Sequence, residues 1–180
     1  MGLQNQFTQD LRASWEKVVK IVSENMISTN YEEGIEVEQE DSSISPQDIK
    51  VIRETWSVLA SRGEEAIGVY LFRQIFTIAP EALQMFPFRN EPNTYDSPAL
   101  KKHATGVVRT LGTAINGLEN LPLLAPKLKE LGLRHLQYGV VPSHYPVVGK
   151  ALLNTIEYVL DSKYNSQVER AWKKVIGVVA

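Results

Sequence analysis

The sequence predicts an all-α fold, because apolar residues recur at helical spacing along most of the chain and turn residues divide that pattern into helix-sized segments. Between Leu100 and Leu118 the apolar positions are three or four residues apart, while lysine, arginine and threonine fall on the other side. The same spacing resumes after the break at Leu121-Pro122 and runs to His135. Amphipathic helices packed around one core are the expected architecture.

The composition bounds both the size and the function of the protein. A chain of 180 residues is long enough for one domain with a tail. Because 19 Lys and Arg balance 21 Asp and Glu, nucleic-acid binding is not expected. No stretch reaches the ~20 apolar residues that cross a bilayer, and no secretory signal opens the chain, which predicts a cytoplasmic protein. The absence of cysteine excludes disulfides and thiolate chemistry.

Residues 1–44 are predicted to form an N-terminal extension. An amphipathic helix is expected over about residues 7–27, and it could pack on the domain, cover a partner or lie on a membrane. Residues 29–44 are predicted to be a flexible acidic linker, because the region has many carboxylates and no lysine or arginine. The Met1-Gly2 start is a weak acylation signal, since Gln6 stands where Ser or Thr is usual.

The domain at 45–180 begins with a helix start, Ser45-Pro46-Gln47-Asp48, and its first helix has an apolar stripe that includes Trp56. Gly63 separates this helix from a second one, which contains Gly68 and Phe72. Pro80 opens a short third helix. After a loop ending at Ser97-Pro98, the long segment from Leu100 to Leu118 forms the next helix.

The remaining helices are likewise delimited by glycine, proline and capping residues. The helix that carries His135 runs out at Gly139, and Pro142 opens another, with Val148 on its predicted buried side. Ser166 and Glu169 have the spacing of a capping box for the last helix. Six helical segments in the domain are therefore expected, besides the short one at Pro80.

Two histidines occupy apolar faces, His103 in one predicted helix and His135 in the next. An imidazole without a partner in such a place costs free energy, so a shared bound group is one explanation. A structural zinc site is not favoured, because the two are far apart in sequence and cysteine is absent. A flat, apolar, iron-bearing group fits better. The alternative is that each ring is hydrogen-bonded to a backbone carbonyl within the core.

Further motifs decide between these readings. They are the Leu100-Lys101-Lys102-His103 run with Val107, the Leu131-Gly132-Leu133-Arg134-His135 run with Val140 and Tyr145, the Ala79-Pro80-Glu81 turn leading to Met85-Phe86-Pro87-Phe88, and Trp56. In this order and spacing they resemble the globin family over about residues 45–180, most of all the neuroglobin, cytoglobin and globin X group. The resemblance implies a globin fold with haem b as cofactor.

The same resemblance implies the roles of individual residues. His135 matches the proximal ligand of haem iron and His103 the distal histidine, which either donates a hydrogen bond to a bound gas or coordinates the iron itself. We expect the second. Lys102 and Arg134 are candidates for the propionates, although solvated surface charges are an equally good reading of both. The implied pocket residues are Phe72, Phe86, Phe88, Lys102, His103, Val107, Leu131, Arg134, His135, Val140, Tyr145 and Val148.

The predicted function is reversible binding of oxygen, nitric oxide and carbon monoxide, in an oxygen, nitric oxide or redox role that could involve a cellular reductant. Oxygen storage or transport, nitric oxide dioxygenation and nitrite reduction are all compatible with this fold. The alternative is a gas- or redox-sensing module that signals through the N-terminal extension. Membrane contact through Gly2 or the N-terminal helix is weakly supported, and the oligomeric state is not predicted.

Overall fold

The computed structural model describes residues 43–179 and shows six α-helices connected by short turns. The helices are α1 (Pro46–Ala60), α2 (Glu64–Ile78), α3 (Pro98–Asn116), α4 (Leu121–Gln137), α5 (Tyr145–Leu160) and α6 (Ser166–Val179). Short 3-10 helices lie at Pro80–Met85, Thr94–Asp96, Leu118–Asn120, Pro142–His144 and Asp161–Lys163. Residues 43–179 contain no strand, and the all-α fold is confirmed.

The predicted N-terminal helix at about 7–27 and nearly all of the acidic linker lie outside the described residues. The described residues belong to a compact unit that begins at Ile44, apart from Ser43. Within residues 43–179, no helix has the length and apolar character needed to span a membrane.

Local signals place the helix starts. At α1 the Ser45 hydroxyl accepts from the Asp48 amide at 3.1 Å, and the Asp48 carboxylate accepts from the Ser45 amide at 3.0 Å. This reciprocal pair is a capping box, which satisfies amides that have no partner within the helix. Ser97 caps α3 by accepting from the amides of Ala99 and Leu100. Both helix starts agree with the prediction.

The capping box predicted at Ser166 is wrong. The cap of α6 is Asn165, whose Oδ1 accepts from the Gln167 amide at 3.0 Å and from the Val168 amide at 3.1 Å. Ser166 is therefore the first residue inside the helix. Asparagine and serine are about equally good caps, so the sequence alone did not separate two adjacent candidates.

The core lies between two packed layers of helices. Helix α1 packs on α6 and α5, while α2 packs on α3 and α5. Trp172 of α6 is almost fully buried and lies 6.3 Å from Trp56 between ring centroids. Its Nε1 donates to the Thr55 hydroxyl at 3.0 Å, so the buried indole keeps a hydrogen-bond partner. The apolar stripe predicted for α1 therefore meets α6 at this point.

The closest approach of two helices occurs where α2 crosses α3. A Cβ added to Gly68 would lie 2.7 Å from the carbonyl carbon and oxygen of Ala104 and 2.9 Å from its Cβ. Such a distance leaves no room for any side chain at Gly68. The crossing brings Phe72, one turn after Gly68, and His103, next to Ala104, to the same side of the helix pair.

Helix α4 contributes less to the core than the other helices. Leu124 is buried, but Leu123 and Leu133 are 69% and 55% exposed. Val148 of α5, predicted to be buried, is 39% exposed, so that prediction is wrong. The reason is that helical spacing shows which face of a helix is apolar and does not show whether another protein segment covers it. Exposed apolar side chains thus lie on both α4 and α5.

Candidate functional site

His103 projects from α3 against two aromatic rings. Its imidazole centroid is 5.3 Å from that of Phe72 and 5.5 Å from that of Phe86, with the rings edge to face at 70° and 61°. The side chain as a whole remains exposed. Within residues 43–179 the imidazole makes no hydrogen bond, so the structure excludes the carbonyl-bonded core histidine that the sequence left open for this position.

Four phenylalanines form the wall behind His103. Phe72 and Phe86 contact each other edge to face at 5.6 Å, and Phe88 stacks on Phe86 at 5.0 Å. Phe88 is only 2% exposed, so it supports Phe86 from behind. Phe76 lies within 6 Å of both Phe72 and Phe86 and was missed in the sequence. Its position one helical turn after Phe72 is the signal that could have identified it.

His135 projects from α4 and is held by its own helix. Its Nδ1 lies 2.9 Å from the carbonyl oxygen of Leu131, one turn earlier. A carbonyl can only accept, so Nδ1 carries the proton in this hydrogen bond. The lone pair of Nε2 is then free to coordinate a metal. A carbonyl bonded to the other ring nitrogen fixes both the tautomer and the plane of a ligating imidazole.

The two histidines are close enough to influence each other electrostatically. Partial burial is the main cause that lowers the pKa of His103 from its usual 6.5, and the charge of His135 lowers it further. Both effects favour the neutral imidazole, which is the form that binds metals. The fold therefore brings together the two residues that are 32 positions apart in the sequence, and it keeps His103 in the coordinating form.

The other apolar and aromatic residues predicted for the pocket are all partly exposed to solvent. Val107, on the same helix as His103, is half-buried, as are Leu131, Val140 and Tyr145. Burial raises the pKa of the Tyr145 phenol, which keeps that group neutral. Their contacts with a cofactor stay a prediction.

The two cations proposed for the propionates lie on the protein surface. Lys102 and Arg134 are both exposed, and Arg134 lies 3.9 Å from Glu130 in an i, i+4 pair. This pair is an ordinary solvated ion pair on a helix surface. Their role toward the propionates also remains a prediction.

The chemistry of the donors fits haem. Within residues 43–179 there is no cluster of three or more side chains able to hold a bare metal ion. A porphyrin supplies four nitrogen donors itself, so two imidazoles are enough to complete six coordination. The phenylalanine wall offers apolar surface to a flat ring. His135, with a free Nε2 and a fixed ring plane, suits the proximal position.

Comparison with known proteins agrees with this geometry. The globin family model matches residues 69–180. The chain is a globin. It is similar to neuroglobin of the fish Tetraodon nigroviridis, with 31% identity over 140 residues that cover 76% of this chain and 87% of that protein. It is also similar to an anaerobic nitrite reductase of Arabidopsis thaliana, with 35% identity over 129 residues, 69% of this chain and 81% of that protein.

Solved structures show the same fold. A hexacoordinated heme protein from an anhydrobiotic tardigrade has a TM-score of 0.69 and 20% identity, and it covers 75% of this chain and 89% of its own. A Drosophila melanogaster globin has a TM-score of 0.67 and 21% identity, with 75% and 90% covered. Family membership makes this chain a haem-binding globin with haem b as its cofactor.

Proposed function

We propose that this globin reversibly binds oxygen, nitric oxide and carbon monoxide, and that His135 and His103 both coordinate the haem iron when no gas is present. Haem, when bound, would supply an iron atom able to bind imidazole and diatomic gases. His135 takes the proximal position through Nε2, with its ring plane set by the Leu131 carbonyl. His103 takes the distal position and must leave before a gas can bind.

The observation that carries this proposal is the state of His103. Its ring contacts those of Phe72 and Phe86 edge to face, makes no hydrogen bond within residues 43–179, and has a lowered pKa. A neutral imidazole with a free nitrogen lone pair and no protein partner is available to a metal. The similar tardigrade protein is described as hexacoordinated, which supports the same arrangement here.

The test is the visible spectrum of the purified, dithionite-reduced protein without added gas. We expect sharp, resolved low-spin bands, and we expect His103→Leu to convert them to the single broad band of five-coordinate iron. A five-coordinate spectrum in the unmodified protein would refute bis-histidine coordination. A low-spin spectrum that survives in the variant would mean that another residue is the distal ligand.

The proposed cellular role follows from the requirement that His103 leave the iron before a gas binds. Competition by His103 slows gas capture and weakens it, which suits nitric oxide chemistry, redox reactions or sensing better than bulk oxygen transport. One similar protein is named an anaerobic nitrite reductase, so nitric oxide release from nitrite by the reduced protein is the first activity to assay. Residence in the cytoplasm stays a prediction. So does signalling through the N-terminal extension, which lies almost entirely outside the described residues.

A further inference from the structure

On the outer side of the distal helix, a lysine connects three segments. The Lys101 ammonium lies 3.8 Å from the Glu65 carboxylate on α2 and 3.7 Å from the Asp96 carboxylate in the turn before α3. The Asn93 amide also donates to Asp96, which holds that carboxylate in place. Lys101 is 34% exposed, so it is partly removed from solvent. One cation thus joins the start of α3 to the first turn of α2.

A second ion pair connects the same two helices farther along α3. Arg109 Nε donates to Glu64 at 2.6 Å, one residue before Glu65 in the first turn of α2. The charged groups of both pairs line one open groove of about 730 Å³ between α2, α3 and the turn. Because this groove is open to solvent, dissolved salt reaches the pairs and screens them.

The positions of the two pairs relative to the helix crossing give them a mechanical role. The tight contact of Gly68 with Ala104 is one point, about which α3 could still turn on α2. Lys101 lies three residues before Ala104 and Arg109 five residues after it, or about 4.5 Å and 7.5 Å along the helix on opposite sides. Restraints on both sides of a contact point oppose rotation about it. His103, next to Ala104, moves with any such rotation.

We infer that the ion pairs Lys101–Glu65/Asp96 and Arg109–Glu64 position His103 for the iron and thereby set how readily it leaves. This inference rests on the proposed bis-histidine coordination. The five charged residues of these pairs are positioning residues, since no hydrogen bond or ion pair links any of them to His103. They act through the orientation of α3. Loss of either pair frees the helix, so His103 dissociates faster and the five-coordinate fraction rises.

The experiment uses the full haem-loaded chain, reduced and mixed rapidly with carbon monoxide. At saturating carbon monoxide the observed rate equals the rate constant for His103 dissociation. Because exposed ion pairs are individually weak, Lys101→Met and Glu64→Gln are each expected to raise this constant by about two- to fivefold. Raising the salt from about 20 mM to about 500 mM should raise it in the unmodified protein and have little effect in the double variant.

Rescue and control variants distinguish positioning from general destabilisation. Lys101→Arg keeps the charge and should retain the original rate. The charge exchange Glu64→Arg with Arg109→Glu rebuilds the pair in reverse and should restore the rate that each single change raises. Lys173→Met breaks a surface pair of 2.6 Å with Glu169 on α6, away from the crossing, and should leave the rate unchanged.

The outcomes separate the two hypotheses. A six-coordinate protein whose pair-breaking variants all dissociate at the original rate overturns the positioning role and leaves the proposed function intact. The same holds if Lys173→Met accelerates dissociation as much as Lys101→Met does. A protein that is five-coordinate without gas overturns the proposed function and, with it, this inference.

Discussion

Replacement of Gly68 by alanine tests the helix crossing that underlies the site. The added Cβ would lie 2.7 Å from backbone atoms of Ala104, where ordinary contacts are 3.4 Å or more. The helices must therefore separate by roughly 0.7 Å, because backbone atoms cannot rotate away as a side chain can. Overpacking of this kind costs about 1–3 kcal/mol, against which alanine recovers up to about 1 kcal/mol through its better helix propensity.

Gly106 supplies the matched control on the opposite helix. A Cβ added there would meet no atom within 4 Å. Gly106→Ala should therefore gain only the stability that comes from the higher helix propensity of alanine. We expect the free energy of unfolding in urea, measured on the haem-free protein, to be about 1–3 kcal/mol lower for Gly68→Ala than for Gly106→Ala. The reduced spectrum of the haem-loaded Gly68 variant should also show less low-spin iron, since His103 shifts with α3.

Two results would refute this reasoning. If the two alanine variants were equally stable, the crossing would be looser than the structure shows. If Gly68→Ala lost stability while its low-spin fraction stayed at the original value, the crossing would not control the position of His103.

Three further predictions concern single side chains. His135→Gly should lose haem during gel filtration, and added imidazole should restore retention by replacing the missing ligand; retention without imidazole would contradict the proximal assignment. Because the pKa of His103 is lowered in the folded state, the unfolded chain binds its proton more readily, so the unfolding free energy of the haem-free protein should fall as the pH drops below 6.5. That part of the pH dependence should be absent in His103→Leu. An equal loss of unfolding free energy with falling pH in the variant and the unmodified protein would contradict the lowered pKa of His103. Asp48→Asn weakens both the capping box with Ser45 and the 3.0 Å bond from Lys174, and should cost about 1 kcal/mol in urea unfolding; the loss should shrink in a Lys174→Met background.

Much of this globin could be predicted because its signals act over short distances along the chain. The capping residues Ser45 and Ser97 recognise amides within three positions, and the bond from His135 to Leu131 spans one helical turn. Helix bounds, caps and the orientation of His135 are therefore local properties of the sequence.

The tertiary structure decided what covers each face and which distant groups meet. Periodicity marked Val148 as apolar, but only packing shows that it is exposed, and only packing brings Phe76 against Phe86. The sequence by itself determined two histidines on two amphipathic helices. Their mutual approach, and the ion pairs from Lys101 and Arg109 to α2, depend on how helices cross, because helical spacing specifies a direction around one axis and says nothing about the neighbouring axis.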